Sequence, residues 1–129
     1  MNTEEDIDRD LAALEQGTLD LAKFPHSEHL RLAFHMLSRH AFGEAVSRFS
    51  SALKLLTAKV GKPGVYHETM TVAYLAIIGE RRARGGSTTW EEFIAANADL
   101  LRKDCLSRWY NAGELQSEIA RTTFVLPTR

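Results

Sequence analysis

Five histidines stand in the 129 residues, and His26 and His29 are one helical turn apart. Imidazole is the commonest nitrogen ligand of transition metals, and once buried it needs a metal or a hydrogen-bond partner. On an α-helix turning about 100° per residue, with His26 at zero, His29 falls near 300°. The apolar Leu37, Leu30, Ala33 and Met36 fall near about 20°, 40°, 340° and 280°, so both rings are expected to face inward. With His67 at zero, the segment from Val65 to Arg84 puts Tyr74 near about 340° and Ile78 near 20°, so His67 is expected inward too. Three imidazoles converging from two helices would suit a shared divalent transition metal, Zn, Fe, Cu or Ni, with a position left open for water or substrate. The alternative is that each ring caps a helix or bonds a core carbonyl.

Neighbouring residues extend that expectation. Glu68 adjoins His67 and is a candidate base or a surface charge. Tyr74 is a candidate catalytic hydroxyl, and Thr71 is a candidate for holding the bound group or the tautomer of a ligand ring. Both are equally at home as core packing. His40 lies at the last turn of its helix, where a cation favours the free carbonyls, and the metal expectation leaves open whether it joins the site. His35 falls among Glu28, Arg31 and Arg39 and is expected to be solvated.

Other signals fall short of chemistry. His67-Glu68-Thr69-Met70-Thr71 starts like a zinc-protease helix but has Thr71 where the second His belongs. Gly61-Lys62-Pro63-Gly64 lacks the spacing of a phosphate loop and reads as a turn. The lone Cys105 sits beside Asp104, which disfavours a thiolate. Arg81, Arg82 and Arg84 close a helix, where cations suit the dipole; the alternative is a site for a phosphate or an acidic partner.

These residues need helices to position them, and the periodicity supplies helices. Thr3 to Glu15 carries Ile7, Leu11 and Leu14 behind a Thr3 cap and before Gly17. Thr18 to Pro25 reads as an extended connector that delivers Phe24. A helix is expected from His26 or Ser27 to His40, a break at Phe42-Gly43, and a second helix from Glu44 to Val60 that pairs with it. Val65 to Arg84 is the most apolar segment and is expected to be the central helix, ended by Gly85-Gly86-Ser87. Thr88 or Thr89 can cap a short helix carrying Trp90, Phe93 and Ile94, with Glu92 completing a capping box on Thr89. Asn97 to Asp104 is irregular, Leu106 to Tyr110 gives a turn or two, and Gly113 to Arg121 makes a last helix. The closing Thr122-Thr123-Phe124-Val125-Leu126-Pro127 is expected to be extended and packed on the helices. The fold expected is an all-α bundle of five to seven helices with an extended C-terminal tail, one domain over residues 1–129.

Composition bounds the function. A formal charge of −1, with no block of five like charges, lacks the electrostatic footprint of a nucleic-acid binder. No apolar stretch approaches the roughly 18 residues that cross a bilayer. The acidic start Met1-Asn2-Thr3-Glu4-Glu5-Asp6 lacks the order of a signal peptide, and one Cys forms no internal disulfide, so a cytoplasmic location is expected.

The strings Phe24-Pro25-His26-Ser27-Glu28-His29-Leu30, Tyr66-His67-Glu68-Thr69-Met70-Thr71 and Phe124-Val125-Leu126-Pro127 resemble a family of small bacterial helical proteins. That family carries F-x-H-x-x-H-L, Y-H-x-T-x-T and a closing F-x-L-P over nearly the whole chain. The resemblance marks His26, His29 and His67 as motif residues and implies no reaction, cofactor or substrate. The function expected from the residues is a small metalloprotein with an open three-His site, acting as a metal-dependent enzyme on a small molecule. The alternatives are a non-enzymatic metal- or ligand-binding accessory domain and a structural interaction module without metal. A homodimer through an apolar helix face would be unsurprising.

Overall fold

The capped, periodic segments become helices in the computed structural model, which describes residues 3–86 and 89–129. Ser87 of the expected break and Thr88 as an alternative cap lie outside the described residues. Among those residues are seven α-helices, four short 3-10 turns and no strand, so the fold is all-α. None of these helices is long and apolar enough to cross a membrane. The chain gathers into two compact units that part between Tyr66 and His67.

The first unit holds α1 (Glu4–Gln16), α2 (His26–Arg39) and α3 (Phe42–Lys59). Thr3 and Asp6 form a reciprocal capping box on α1, satisfying two of the N–H groups that a helix start leaves over. Gly17 ends α1 at φ 71, a conformation a side chain resists, and a Cβ there would meet Lys59 Cδ at 2.9 Å. The break expected at Phe42-Gly43 falls earlier. Ala41 is extended, α3 starts directly at Phe42, and His40 Nδ1 lies 3.2 Å from Glu44 Oε2 across the junction.

Helix α2 departs furthest from the helical-wheel reading, because every residue from Leu30 to Leu37 is buried. His35, expected in solvent, is 9% exposed and meets Phe34 edge-to-face at 5.3 Å. The polar side of α2 is covered because its cations meet the acids of α1. Arg31, only 5% exposed, donates to Asp10 Oδ2 at 2.6 Å and through Nε and Nη2 to both Glu28 oxygens at 2.9 Å. Arg39 pairs with Asp8 and with Glu4. A wheel counts a charged face as wet, but a face of opposite charge can cover it when its carboxylates supply hydrogen bonds that offset the desolvation cost, as those to Arg31 do. Arg31→Met, which keeps the stem, should therefore lower stability by about 2 kcal/mol in urea unfolding, the worth of charge-assisted hydrogen bonds. A loss below ~0.5 kcal/mol would show the pairs to be idle.

The second unit opens with α4 (Glu68–Gly85), followed by α5 (Trp90–Ala96), α6 (Ala112–Leu115) and α7 (Glu118–Thr122). Thr89 and Glu92 form the expected capping box on α5. The single helix expected over Gly113 to Arg121 is two short ones, because Ser117 is extended and caps α7 by accepting Ala120 N–H. Ala73, Leu106 and Tyr110 form a buried cluster with Met70, Tyr74, Ile77, Trp109 and Leu115 packed round it.

From Thr123 onward the chain has no regular structure, yet it is tied down by named groups. Thr69 Oγ1 donates to Thr123 O at 2.7 Å and accepts Val125 N–H at 3.0 Å. Tyr110 donates its hydroxyl to Val125 O at 2.8 Å. The N–H groups of Thr128 and Arg129 both reach Trp109 O, at 2.8 and 3.0 Å. The tail is therefore extended and hydrogen-bonded through its backbone to Thr69 and Tyr110, but less packed than the sequence indicates, since Phe124 and Leu126 are exposed.

Candidate functional site

The three-His metal centre is not formed. Among the described residues no group of three or more His, Cys, Asp or Glu side chains is placed to hold a metal ion, which overturns the open-site metalloprotein expected from the sequence. The reason is local. His67 is the N-cap of α4, with φ −129 and ψ 108, so a wheel that runs the helix through it assigns its direction wrongly. Its Nδ1 accepts Met70 N–H at 3.1 Å while Nε2 meets Leu115 O at 2.7 Å. That pattern needs Nδ1 as acceptor and Nε2–H as donor, which leaves no lone pair for a metal.

His29 is also committed. Its ring stacks on Phe24 with centroids 3.9 Å apart and 23° between planes, and it hydrogen-bonds the Phe24 main chain. Burial, reinforced by the neighbouring charge of His26, pushes its pKa from 6.5 down to about 4. His26 occupies the first turn of α2 behind Pro25 and is half-buried.

The other candidates lie along α4. Glu68 is its first residue and half-buried. The Thr71 hydroxyl donates to the His67 carbonyl at 2.8 Å, a bond within the helix start. Tyr74 packs on the Ala73, Leu106 and Tyr110 cluster, and burial, followed by the Cys105 and Asp104 charges, pushes its pKa up to about 12. Burial likewise raises the Cys105 thiol, with Asp99 adding to the shift, so it stays protonated at neutral pH.

A concave feature of the second unit lies elsewhere among the described residues. A cleft of about 260 Å³ is lined by Ala73, Ala76, Ile77, Glu80 and Arg81 of α4, by Trp109 and Tyr110, and by Phe124 and Pro127 of the tail. The spacing of α4 explains the floor. Ala73, Ala76, Ile77 and Glu80 are three or four residues apart and share one face, and the two alanines leave the space that larger side chains would fill. The aromatic walls are fixed by the tail's hydrogen bonds, since Trp109 and Tyr110 both hold the segment that carries Phe124 and Pro127.

One end of the cleft is charged. Arg81 grips Asp99 end-on, with Nη1–Oδ1 at 2.8 Å and Nη2–Oδ2 at 3.0 Å, and Nη1 also reaches Asn97 Oδ1 at 3.3 Å. Those hydrogen bonds, ahead of the Arg81 charge itself, hold the Asp99 carboxyl below the ordinary carboxylate value, so it is ionised at neutral pH. Arg108 reaches the same carboxylate at 3.3 Å, and its guanidinium lies 5.0 Å from the centre of the Trp109 ring. Glu80 accepts from Arg84 Nε at 2.8 Å.

No protein family, curated protein or solved structure matches the chain. The functional reading rests on the chemistry of this cleft: aromatic and aliphatic walls, a rim with guanidinium and carboxylate groups, and a neighbouring thiol that stays protonated. Such a surface can enclose an apolar group and orient it by one polar end. Trp109 and Tyr110 are aromatic anchors visible in the sequence, but periodicity does not mark Ala73, Ala76, Phe124 or Pro127 as lining a cleft. The two alanines at a three-residue spacing were the available signal, but nothing in the sequence shows that a segment about 50 residues away covers them.

Proposed function

We propose that the second unit is a binding module that takes the apolar body of a small molecule into the cleft between α4, Trp109, Tyr110 and the C-terminal tail. The observation that supports this most is the composition of a single concavity. Its walls are aromatic or aliphatic, its floor is alanine, and the polar groups gather at one end. Water in such a place makes few hydrogen bonds, so displacing it with apolar surface contributes roughly 25 cal/mol per Å². The volume suits a single ring with a short chain.

The test uses 3-phenylpropan-1-ol, a neutral probe of that size, added to the ¹⁵N-labelled full chain. Amide shifts should concentrate on α4, Trp109 and the tail. Ala76 is exposed on α4, so Ala76→Leu enlarges a side chain at the cleft without disturbing the core and suits a helix. It should weaken the probe at least ten-fold with the unfolding midpoint unchanged. Equal affinity in the variant, or shifts scattered over the whole chain, would overturn the reading.

A further inference from the structure

Arg81 has more hydrogen-bonding capacity than the fold uses. A guanidinium carries five N–H donors in a flat fork, and Arg81 commits three of them, all at its outer end, to Asp99 and Asn97. Among the described residues nothing accepts from Nε–H or from the second N–H of Nη2. The side chain is 24% exposed, and neither nitrogen is among the buried atoms that lack a partner. These two donors form the side edge of the fork. In this same chain, Arg31 uses that edge to hold a carboxylate, with Nε and Nη2 each 2.9 Å from a Glu28 oxygen.

The surrounding charge favours a second anion. Arg81 and Arg108 share the single carboxylate of Asp99, while Glu80 is matched by Arg84. Of the two charged side chains that line the cleft, Glu80 is thus neutralised by Arg84, while Arg81 shares its only carboxylate with Arg108. Asp99 already fixes the plane and position of the Arg81 fork, so little side-chain entropy is lost when a ligand uses the remaining edge.

We propose that the ligand is a small carboxylate with an apolar, ring-sized body, its carboxylate received by the side edge of Arg81 and its body in the cleft. This rests on the binding-module reading above. Two adjacent donors match the two oxygens of a carboxylate.

The experiment compares 3-phenylpropanoate with 3-phenylpropan-1-ol and 3-phenylpropylamine on the full chain by NMR titration. The acid should bind at least ten-fold tighter than the alcohol, the amine should bind weakest, and the preference for the acid should shrink with added salt. Arg81→Lys keeps the charge but loses the fork, and should cut the acid's affinity far more than the alcohol's, abolishing most of the acid's advantage. Arg108→Gln, on an exposed side chain, should reduce the acid's advantage several-fold and keeps the test available if the Arg81 variant does not fold. Equal binding of acid and alcohol would overturn the carboxylate inference and leave the cleft reading standing. Failure of all three probes to bind would overturn both.

Discussion

Thr69→Val should lower the stability of the chain by about 3 kcal/mol and release its C-terminal tail. Thr69 is 0% exposed, and its single hydroxyl both donates to Thr123 O and accepts Val125 N–H. Valine keeps the shape but removes both bonds, and each main-chain group left without a partner costs about 1–3 kcal/mol. Thr69→Ser is the control, since it retains the hydroxyl and should lose only about 1 kcal/mol for the missing methyl. Urea unfolding reads the difference, and carboxypeptidase digestion reads the tail, which should be trimmed far faster in the valine variant. Because Phe124 and Pro127 line the cleft, the valine variant should also lose affinity for 3-phenylpropan-1-ol. Equal stability of the Val and Ser variants would mean that the clamp does not hold the tail.

Acid should weaken the fold through His29, by about 3 kcal/mol between pH 6.5 and about 4. The native ring is kept neutral by burial, whereas in the unfolded chain it protonates near its ordinary value of 6.5. Across that window the unfolded state binds more protons, so stability rises with pH. This contribution is fully present above 6.5 and lost as pH falls toward about 4. Asp6 and Asp99 are held below their ordinary 3.8, so their contributions are lost at lower pH and leave the window clear. His29→Phe preserves the stack on Phe24 and should flatten the slope of urea-derived stability over that range. An imidazole resonance of residue 29 titrating near 6.5 would contradict the assignment.

Both experiments bear on the three motif strings, whose residues hold local structure within each unit. Phe24 stacks on His29 in the first string. In the second, His67 caps α4 and reaches Leu115, Thr71 bonds the His67 carbonyl, and Thr69 holds the tail that carries the third. Histidine and threonine suit these tasks because each supplies both a donor and an acceptor on a short stem. The same versatility made the histidines look like ligands when only their spacing was considered.

The sequence by itself determined the all-α class, the caps at Thr3 and Thr89 and the stop at Gly17. These follow from interactions within a few residues, which periodicity and capping chemistry express directly. It also brought forward Arg81, although as a cation suited to a helix end. Only the tertiary structure decided that His67 caps α4 and that the polar side of α2 is covered by the acids of α1. It also decided that Phe124 and Pro127 close a cleft over Ala73 and Ala76. Each of these depends on a partner distant along the chain, or on whether a helix begins before or after one residue. A single non-helical residue at position 67 redirects its side chain into capping α4, so a wheel that runs the helix through it misplaces the ring.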